Sequence, residues 1–214
     1  MRFNHYIILL LFTLQGTFFC QSFDISKTGV QTFYFKDSQN RNQLTFISDA
    51  PFETFTGVTT DVWGEVSFDP GDIQNTLKGE ILVSVKSIET GIEMRDQELR
   101  GAGWLDAEKY PTISFKIEKV EGINVLDNNK IKLLLNGSFS CHGKTNIIPL
   151  NATLKYLAES ESTKKRLPGD LLSVVSEFSV KLSEYGINSI FIPDRVSDKI
   201  EIAVNIVGTN KKPE

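Results

Sequence analysis

Arg95, Asp96 and Arg100 form the polar group in this sequence with the clearest potential for ligand recognition. A guanidinium group suits phosphate or carbonyl recognition, and a neighbouring carboxylate can orient it. The same three side chains could instead form an ion pair on a helix surface that positions the helix and adds little free energy. From the residues alone, both interpretations stay open.

Cysteine and histidine give little scope for metal or redox chemistry. The chain has two cysteines and two histidines, and only Cys141 and His142 lie outside the N-terminal segment discussed below. Neighbouring residues of a strand point to opposite faces, so these two are poorly placed to chelate one ion. We predict no metal site, no cofactor and no internal disulfide.

Catalytic motifs are missing as well. The sequence has no Gly-x-Ser-x-Gly elbow and no phosphate-binding glycine loop, and Cys141 has no second base at a recognisable spacing. Asp69 and Asp72 lie in a Pro-Gly turn, where aspartates commonly bond to their own backbone. We therefore predict a protein without catalytic residues, not an enzyme.

The N-terminus is typical of an exported protein. Arg2 precedes an apolar run over residues 6–14, which is too short for the roughly 20 residues of a membrane-spanning helix. We predict a signal peptide at 1–20, one domain at 21–214 without a transmembrane segment, and a periplasmic or secreted location. Phe19 disfavours a lipid anchor on Cys20, because such signals need a small residue there.

The charge balance argues against nucleic acid as a partner. The 23 basic and 27 acidic side chains give a net charge of −4, and loss of Arg2 with the signal peptide would lower it further. Nucleic-acid-binding proteins concentrate lysine and arginine instead.

Alternation of apolar and polar residues predicts β-strands through most of the chain. It is clearest at Ile113, Phe115 and Ile117 and in the last strand, at Ile200, Ile202, Val204 and Ile206. The predicted strands include 31–36, 44–48, 58–68 and 130–140. Turn sequences at 69–72, 127–129 and 168–170 separate strands. No long helix links them, so we expect antiparallel pairing.

One interval predicts a helix. Thr90 and Glu93 have the spacing of a capping box, followed by a short helix to Arg100 with Ile92 and Leu99 on its buried face. A second helical turn is predicted over residues 105–109, ending before a proline.

About eight or more antiparallel strands predict a sandwich or a closed barrel. A barrel of about eight strands leaves room for one small ligand unless bulky side chains fill it. The architecture alone does not choose a function.

Several motifs carry a family resemblance. They are Ser-Ile-Glu-Thr-Gly at 87–91, Arg-Asp-Gln-Glu-Leu-Arg at 95–100, Lys-Tyr-Pro at 109–111, Asn-Gly-Ser-Phe at 136–139 and Tyr-Gly-Ile at 185–187. In order and spacing the chain resembles the YceI-like polyisoprenoid-binding family. Glu98 departs from the histidine of many relatives, and the polar segment 159–170 is longer than a hairpin needs.

The resemblance implies an all-β, lipocalin-like extended antiparallel barrel of about eight strands with a short helical insertion. It implies an exported carrier or storage protein that holds a long-chain isoprenoid or similar lipid. The residues expected to bind the ligand are Arg95, Asp96, Leu99, Arg100, Trp104, Phe68, Phe115, Ile113 and Phe139.

The alternative is a non-catalytic structural or interaction module of the cell envelope with a filled barrel. Aromatic strand residues such as Phe68, Phe115 and Phe139 usually pack a core, so the residues alone favour this alternative and the resemblance reverses the preference. Lumen volume separates the two. A lipid carrier requires an elongated apolar cavity of roughly 300 to 1,000 Å3.

Overall fold

The computed structural model describes residues 27–213, so the predicted signal peptide with Cys20 lies outside the described residues. This part of the chain forms two short helices, α1 (Ile73–Thr76) and α2 (Glu93–Arg100), and 3-10 turns at Val85–Ser87, Thr163–Lys165 and Leu182–Tyr185. Its strands are β1 (Gln31–Tyr34), β2 (Gln43–Asp49), β3 (Thr54–Thr59), β4 (Val62–Phe68), β5 (Lys78–Ser84), β6 (Thr112–Asp127), β7 (Lys130–Cys141), β8 (Lys144–Leu157), β9 (Leu171–Lys181) and β10 (Lys199–Thr209).

The described strands form one antiparallel sheet that closes on itself. Each strand from β4 to β9 pairs with the next strand in the chain, and β1 pairs with both β4 and β10. Strand β2 also pairs with β10, so β1 and β2 run in the same direction as two parts of one wall strand. Strands β3 and β4 form a second interrupted wall strand in the same way. The result is an eight-stranded closed barrel, which confirms the predicted fold class.

The prediction of one uninterrupted strand over residues 58–68 was wrong. The chain turns at Thr60, whose carbonyl accepts a hydrogen bond from the Val62 amide at 3.1 Å. The Asp61 carbonyl still accepts from the Ser84 amide at 3.2 Å. The wall therefore continues across the break, although the regular strand does not.

Residues 36–42 leave the wall between β1 and β2, and the Asn42 side chain supplies hydrogen bonds that the wall lacks there. Its Oδ1 accepts a hydrogen bond from the Val207 amide at 2.8 Å, and its Nδ2 donates to the Phe35 carbonyl at 2.7 Å. The side chain is 1% exposed. Its carboxamide therefore satisfies backbone groups that a continuous strand would have paired.

The barrel has a filled end and an end covered by helical segments, which we call the mouth. At the filled end, Phe33 stacks on Phe68 at 5.7 Å and meets Tyr156 edge-on at 6.3 Å. Strand β7 spans both ends, because Ile131 packs in the cluster of Phe33 whereas Phe139 packs in the mouth cluster. Helix α2 and the turn Leu182–Tyr185 lie at the mouth.

Helix α2 differs from the prediction in its capping and in the burial of two residues. Ile92 is the N-cap of α2 without a side-chain cap, because the Thr90 hydroxyl donates to Asp96 and no capping box forms. Asp96 is buried instead of lying near the boundary, and Ile92 is 53% exposed instead of buried, whereas Leu99 packs against the mouth cluster as predicted. The turn predicted over residues 105–109 is present as a single hydrogen-bonded turn, in which the Asp106 carbonyl accepts from the Lys109 and Tyr110 amides.

We predict that Asn42→Ala lowers the free energy of unfolding by about 1 to 3 kcal/mol, because it removes the partner of the Val207 amide and of the carbonyl of buried Phe35. Chemical denaturation measures the change. Asn124→Ala is the matched control, since Asn124 is exposed on a strand, and we expect a change within about 0.5 kcal/mol. Equal effects of the two substitutions would contradict the bridging role of Asn42.

Candidate ligand-binding site

An apolar cavity of about 170 Å3 occupies the middle of the barrel, and we call it the inner compartment. Its wall includes Leu44 of β2, Phe115 of β6, Leu135 of β7 and Val174 of β9. Alternate residues of each strand face this space, which is why widely separated sequence segments contribute to one lining.

A second cavity of about 390 Å3, the outer compartment, lies between the barrel wall and the segments at the mouth. Phe55 of β3 and Val180 of β9 line it from the barrel side, whereas Leu99 of α2 and Trp104 line it from the mouth side. Helix α2 therefore forms part of the wall of this cavity.

The two compartments adjoin and form one lumen. Five residues line both of them: Phe46, Ile88, Ile113, Phe139 and Ile202. Taken together, the volumes of about 170 and 390 Å3 lie in the range of roughly 300 to 1,000 Å3 that is typical of ligand sites, as the carrier interpretation required. The interaction-module alternative required a filled barrel, and the described barrel contains these two cavities.

The structure brings most of the predicted site residues to the lumen. Leu99, Trp104 and Arg95 line the outer compartment, Phe115 lines the inner one, and Ile113 and Phe139 line both. The remaining three predicted residues, Phe68, Asp96 and Arg100, are not among the lining residues of either compartment.

Asp96 and Arg100 hold α2 against the preceding segment of chain. The Asp96 carboxylate accepts hydrogen bonds from the Thr90 amide at 2.7 Å and the Thr90 hydroxyl at 2.5 Å. Arg100 donates from Nε and Nη2 to the Ile88 carbonyl, at 3.0 and 2.7 Å. These contacts fix the helix whose side chains form the mouth side of the lumen.

Arg95 connects α2 to the β2–β3 hairpin. Its Nη1 lies 2.5 Å from Oε1 of Glu53, and its guanidinium carbon lies 4.4 Å from the ring centre of Phe55. Its Nε donates to the Thr90 hydroxyl at 3.0 Å. Of the two predicted arginines, Arg95 lines the outer compartment and Arg100 does not.

The electrostatics of Asp96 follow from its burial and its partners. Burial alone would raise the pKa of this carboxyl, but the hydrogen bonds from Thr90 and the positive charges of Arg100 and Arg95 outweigh burial and hold the pKa below its ordinary value. Asp96 therefore stabilises the fold as a carboxylate.

Cys141 and His142 do not form a reactive pair. Burial raises the pKa of the Cys141 thiol to about 12, so the thiol stays neutral. His142 Nδ1 lies 3.1 Å from the Tyr185 carbonyl, and its ring packs on Tyr110 with centroids 4.8 Å apart. Within residues 27–213, no group of three or more His, Cys, Asp or Glu side chains could hold a metal ion.

Sequence reasoning missed several residues of the outer compartment. Phe55, Met94, Phe191 and Arg195 line it. Two of them lie in the segment 187–198, which has no strand or helix periodicity and gave no signal. Met94 directly precedes Arg95 in the predicted helix. A large apolar residue at an exposed helix position could have indicated that it belongs to the site.

The comparisons with known proteins agree with this geometry. The model of the YceI-like domain matches residues 35–208. The chain belongs to the YceI-like family. This YceI-like chain is 33% identical to a UPF0312 protein of Vibrio cholerae over 89 residues, 42% of this chain and 44% of that protein. It is 31% identical to a Vibrio parahaemolyticus UPF0312 protein over 101 residues, 47% of each. These matches therefore span less than half of each relative.

Solved structures share the fold. The Burkholderia cenocepacia protein BcnA has a TM-score of 0.63 and 18% identity, covering 81% of this YceI-like chain and all of that one. A polyisoprenoid binding domain from Saccharophagus degradans has a TM-score of 0.61 and 13% identity, covering 86% of this chain and 99% of that one. In the part of the chain that the structure describes, no helix combines the length and hydropathy needed to cross a bilayer.

We predict that Asp96→Asn makes the protein less stable at pH 7 by about 1 to 3 kcal/mol, because hydrogen bonds to a charged acceptor are lost. Since the pKa of Asp96 is lowered on folding, its contribution is present above the ordinary value of 3.8 and disappears as pH falls through the lower folded value. Urea unfolding measured from pH 7 to pH 2 should therefore show that the difference in free energy of unfolding between Asp96→Asn and wild type shrinks as the pH falls.

Glu93→Gln is the control for this measurement, because Glu93 is an exposed carboxylate on the same helix. We expect a change within about 0.5 kcal/mol at every pH. A gap for Asp96→Asn that does not vary with pH would contradict the anchoring role of the carboxylate.

Proposed function

We propose that this protein binds one long-chain isoprenoid or similar apolar lipid in the barrel lumen, as a carrier or storage protein. The observation that carries the proposal is the apolar lumen formed by the inner and outer compartments. The Saccharophagus degradans neighbour, a polyisoprenoid binding domain, supports the same class of ligand.

The polar groups of the lumen wall favour an apolar tail in the inner compartment. The Ser176 hydroxyl donates to the Asn151 carbonyl at 2.7 Å, and the Thr59 hydroxyl lies 2.6 Å from that of Ser87. These hydroxyls have partners within the protein and need none from a ligand. A tail then gains about 0.8 kcal/mol for each CH2 removed from water.

The predicted site residues take four roles in this proposal. Leu99, Trp104, Ile113, Phe115 and Phe139 contact the tail along the lumen. Asp96 and Arg100 position α2, and Phe68 closes the far end with its neighbours Phe33 and Tyr156. Arg95 recognises the polar end of the lipid at the mouth.

We predict that Val174→Phe lowers the affinity for a long-chain isoprenoid at least tenfold. Val174 lines the inner compartment, so the larger ring occupies space needed by the tail. Displacing about two CH2 groups costs about 1.6 kcal/mol, which is more than tenfold in affinity. Titration with a fluorescent isoprenoid measures the change.

Val175→Phe is the matched control, because Val175 is the next residue of β9 and is 45% exposed on the outer face. It adds the same ring outside the barrel, so we expect unchanged affinity. Equal affinities of both variants and wild type would show that the lipid does not enter the inner compartment.

We predict that Arg95→Ala weakens binding of a phosphorylated isoprenoid about tenfold and leaves binding of the matching alcohol unchanged. A charge-assisted hydrogen bond to the phosphate contributes about 1.5 to 3 kcal/mol, and the alcohol does not form it. Binding measured for both compounds on one variant separates the head from the tail.

Glu53→Ala is the control for Arg95→Ala, because it breaks the ion pair between these residues and keeps the guanidinium. We expect it to preserve binding of the phosphorylated compound. If both variants weaken both compounds equally, Arg95 acts as a link between α2 and the hairpin and the head-group role is lost.

We also propose that the chain is exported, with residues 1–20 removed, and acts in the periplasm or outside the cell. Arg2 and the apolar run over residues 6–14 support this step. Intact-mass measurement of protein from the envelope or medium should show loss of about 20 to 22 residues. A full-length product in the cytoplasm would contradict export.

A further inference from the structure

Large apolar side chains are exposed around the mouth of the lumen. Ile92 is 53% exposed, Met94 73% and Phe191 40%, and all three also line the outer compartment. Their side chains thus belong to the lumen wall and to the outer surface at once. This arrangement makes the apolar surface of the lumen continuous with the exterior.

Two further exposed residues extend this surface. Phe52, at the tip of the β2–β3 hairpin, is 74% exposed, and its amide donates to the Asp194 carbonyl at 2.9 Å. Ile190, four residues before Asp194, is 92% exposed. We call the five residues Phe52, Ile92, Met94, Ile190 and Phe191 the apolar rim. Exposed apolar groups collected from three segments of chain mark a contact surface.

The charges among the apolar rim are mixed. Arg95 stacks on Phe55, and the Arg195 guanidinium carbon lies 5.6 Å from the ring centre of Phe191. Glu53 and Glu98 also line the outer compartment. The mouth therefore has no excess of basic groups for attraction to an anionic surface, and apolar burial must supply its binding energy. Long arginine side chains can keep their charge at the level of lipid phosphates while their stems are buried.

We propose that the apolar rim inserts into the outer layer of a lipid bilayer, so that the lipid ligand passes between bilayer and lumen without entering water. This inference rests on the proposed function. The bilayer is the partner that fits because the rim surrounds the opening of the lipid-sized lumen, and a bilayer is where an apolar ligand resides. Transfer through water would expose the tail, at a free-energy cost of about 0.8 kcal/mol for each CH2.

Flotation with uncharged phosphatidylcholine vesicles tests the docking step. The test variant is Phe52→Asp with Ile190→Asp, because neither residue lines the lumen. We expect the vesicle-bound fraction to fall at least tenfold. The control is Val125→Asp with Leu126→Asp, since these residues are 42% and 48% exposed at the β6–β7 hairpin, near the filled end. The control should float like wild type.

A second measurement uses NBD-labelled farnesol and separates docking from ligand binding. Delivered in ethanol, it should bind the rim variant as tightly as wild type. Delivered in phosphatidylcholine vesicles, it should reach the rim variant at least tenfold more slowly. The melting temperature of each variant confirms that it folds.

Each other outcome has a distinct meaning. Flotation and transfer like those of wild type would overturn membrane docking. Loss of ethanol-delivered binding in a folded rim variant would also overturn it, because the rim would then be part of the ligand site. If wild type fails to bind the probe from ethanol, the proposed function fails, and flotation still decides whether the rim docks.

Discussion

The pairing of β10 with both β1 and β2, on the edge opposite β9, closes the barrel, and the lumen depends on that closure. Strand β10 pairs with β1 at Thr209 and with β2 from Ile200 to Asn205. Between these stretches Asn42 supplies the hydrogen bonds of a missing wall segment. A ring of eight strands forces alternate side chains inward around a space that they do not fill. An opening along β10 would expose this apolar space to water.

The polar residues near α2 show how one motif serves two purposes. Asp96 and Arg100 bond to Thr90 and to the Ile88 carbonyl, and they hold the helix over the mouth. Arg95 contacts both Glu53 and the outer compartment. The helix can therefore keep Leu99 at the wall of the outer compartment because these polar side chains anchor it. In our proposal this division of labour leaves head-group recognition to Arg95 alone.

The barrel was predictable from the sequence because period-two alternation reports directly on the two faces of a sheet. Ile113, Phe115 and Phe139 were correctly expected to face the interior, although alternation cannot tell a lumen wall from a packed core. Phe68 illustrates that limit, since its strand position resembles the others but its ring stacks on Phe33. Leu99 was correctly expected on the buried side of α2. Ile92 and Asp96 were misplaced because the Thr90 hydroxyl bonds to Asp96, which residue spacing does not encode.

The most direct test of lipid binding is mass spectrometry of organic extracts from protein purified after native export, without detergent. We expect one predominant long-chain isoprenoid or similar apolar lipid, close to one molecule for each protein chain, and a marked loss of it in Val174→Phe but not in Val175→Phe. An extract without such a compound, or equal amounts in both variants, would contradict a lipid-filled lumen.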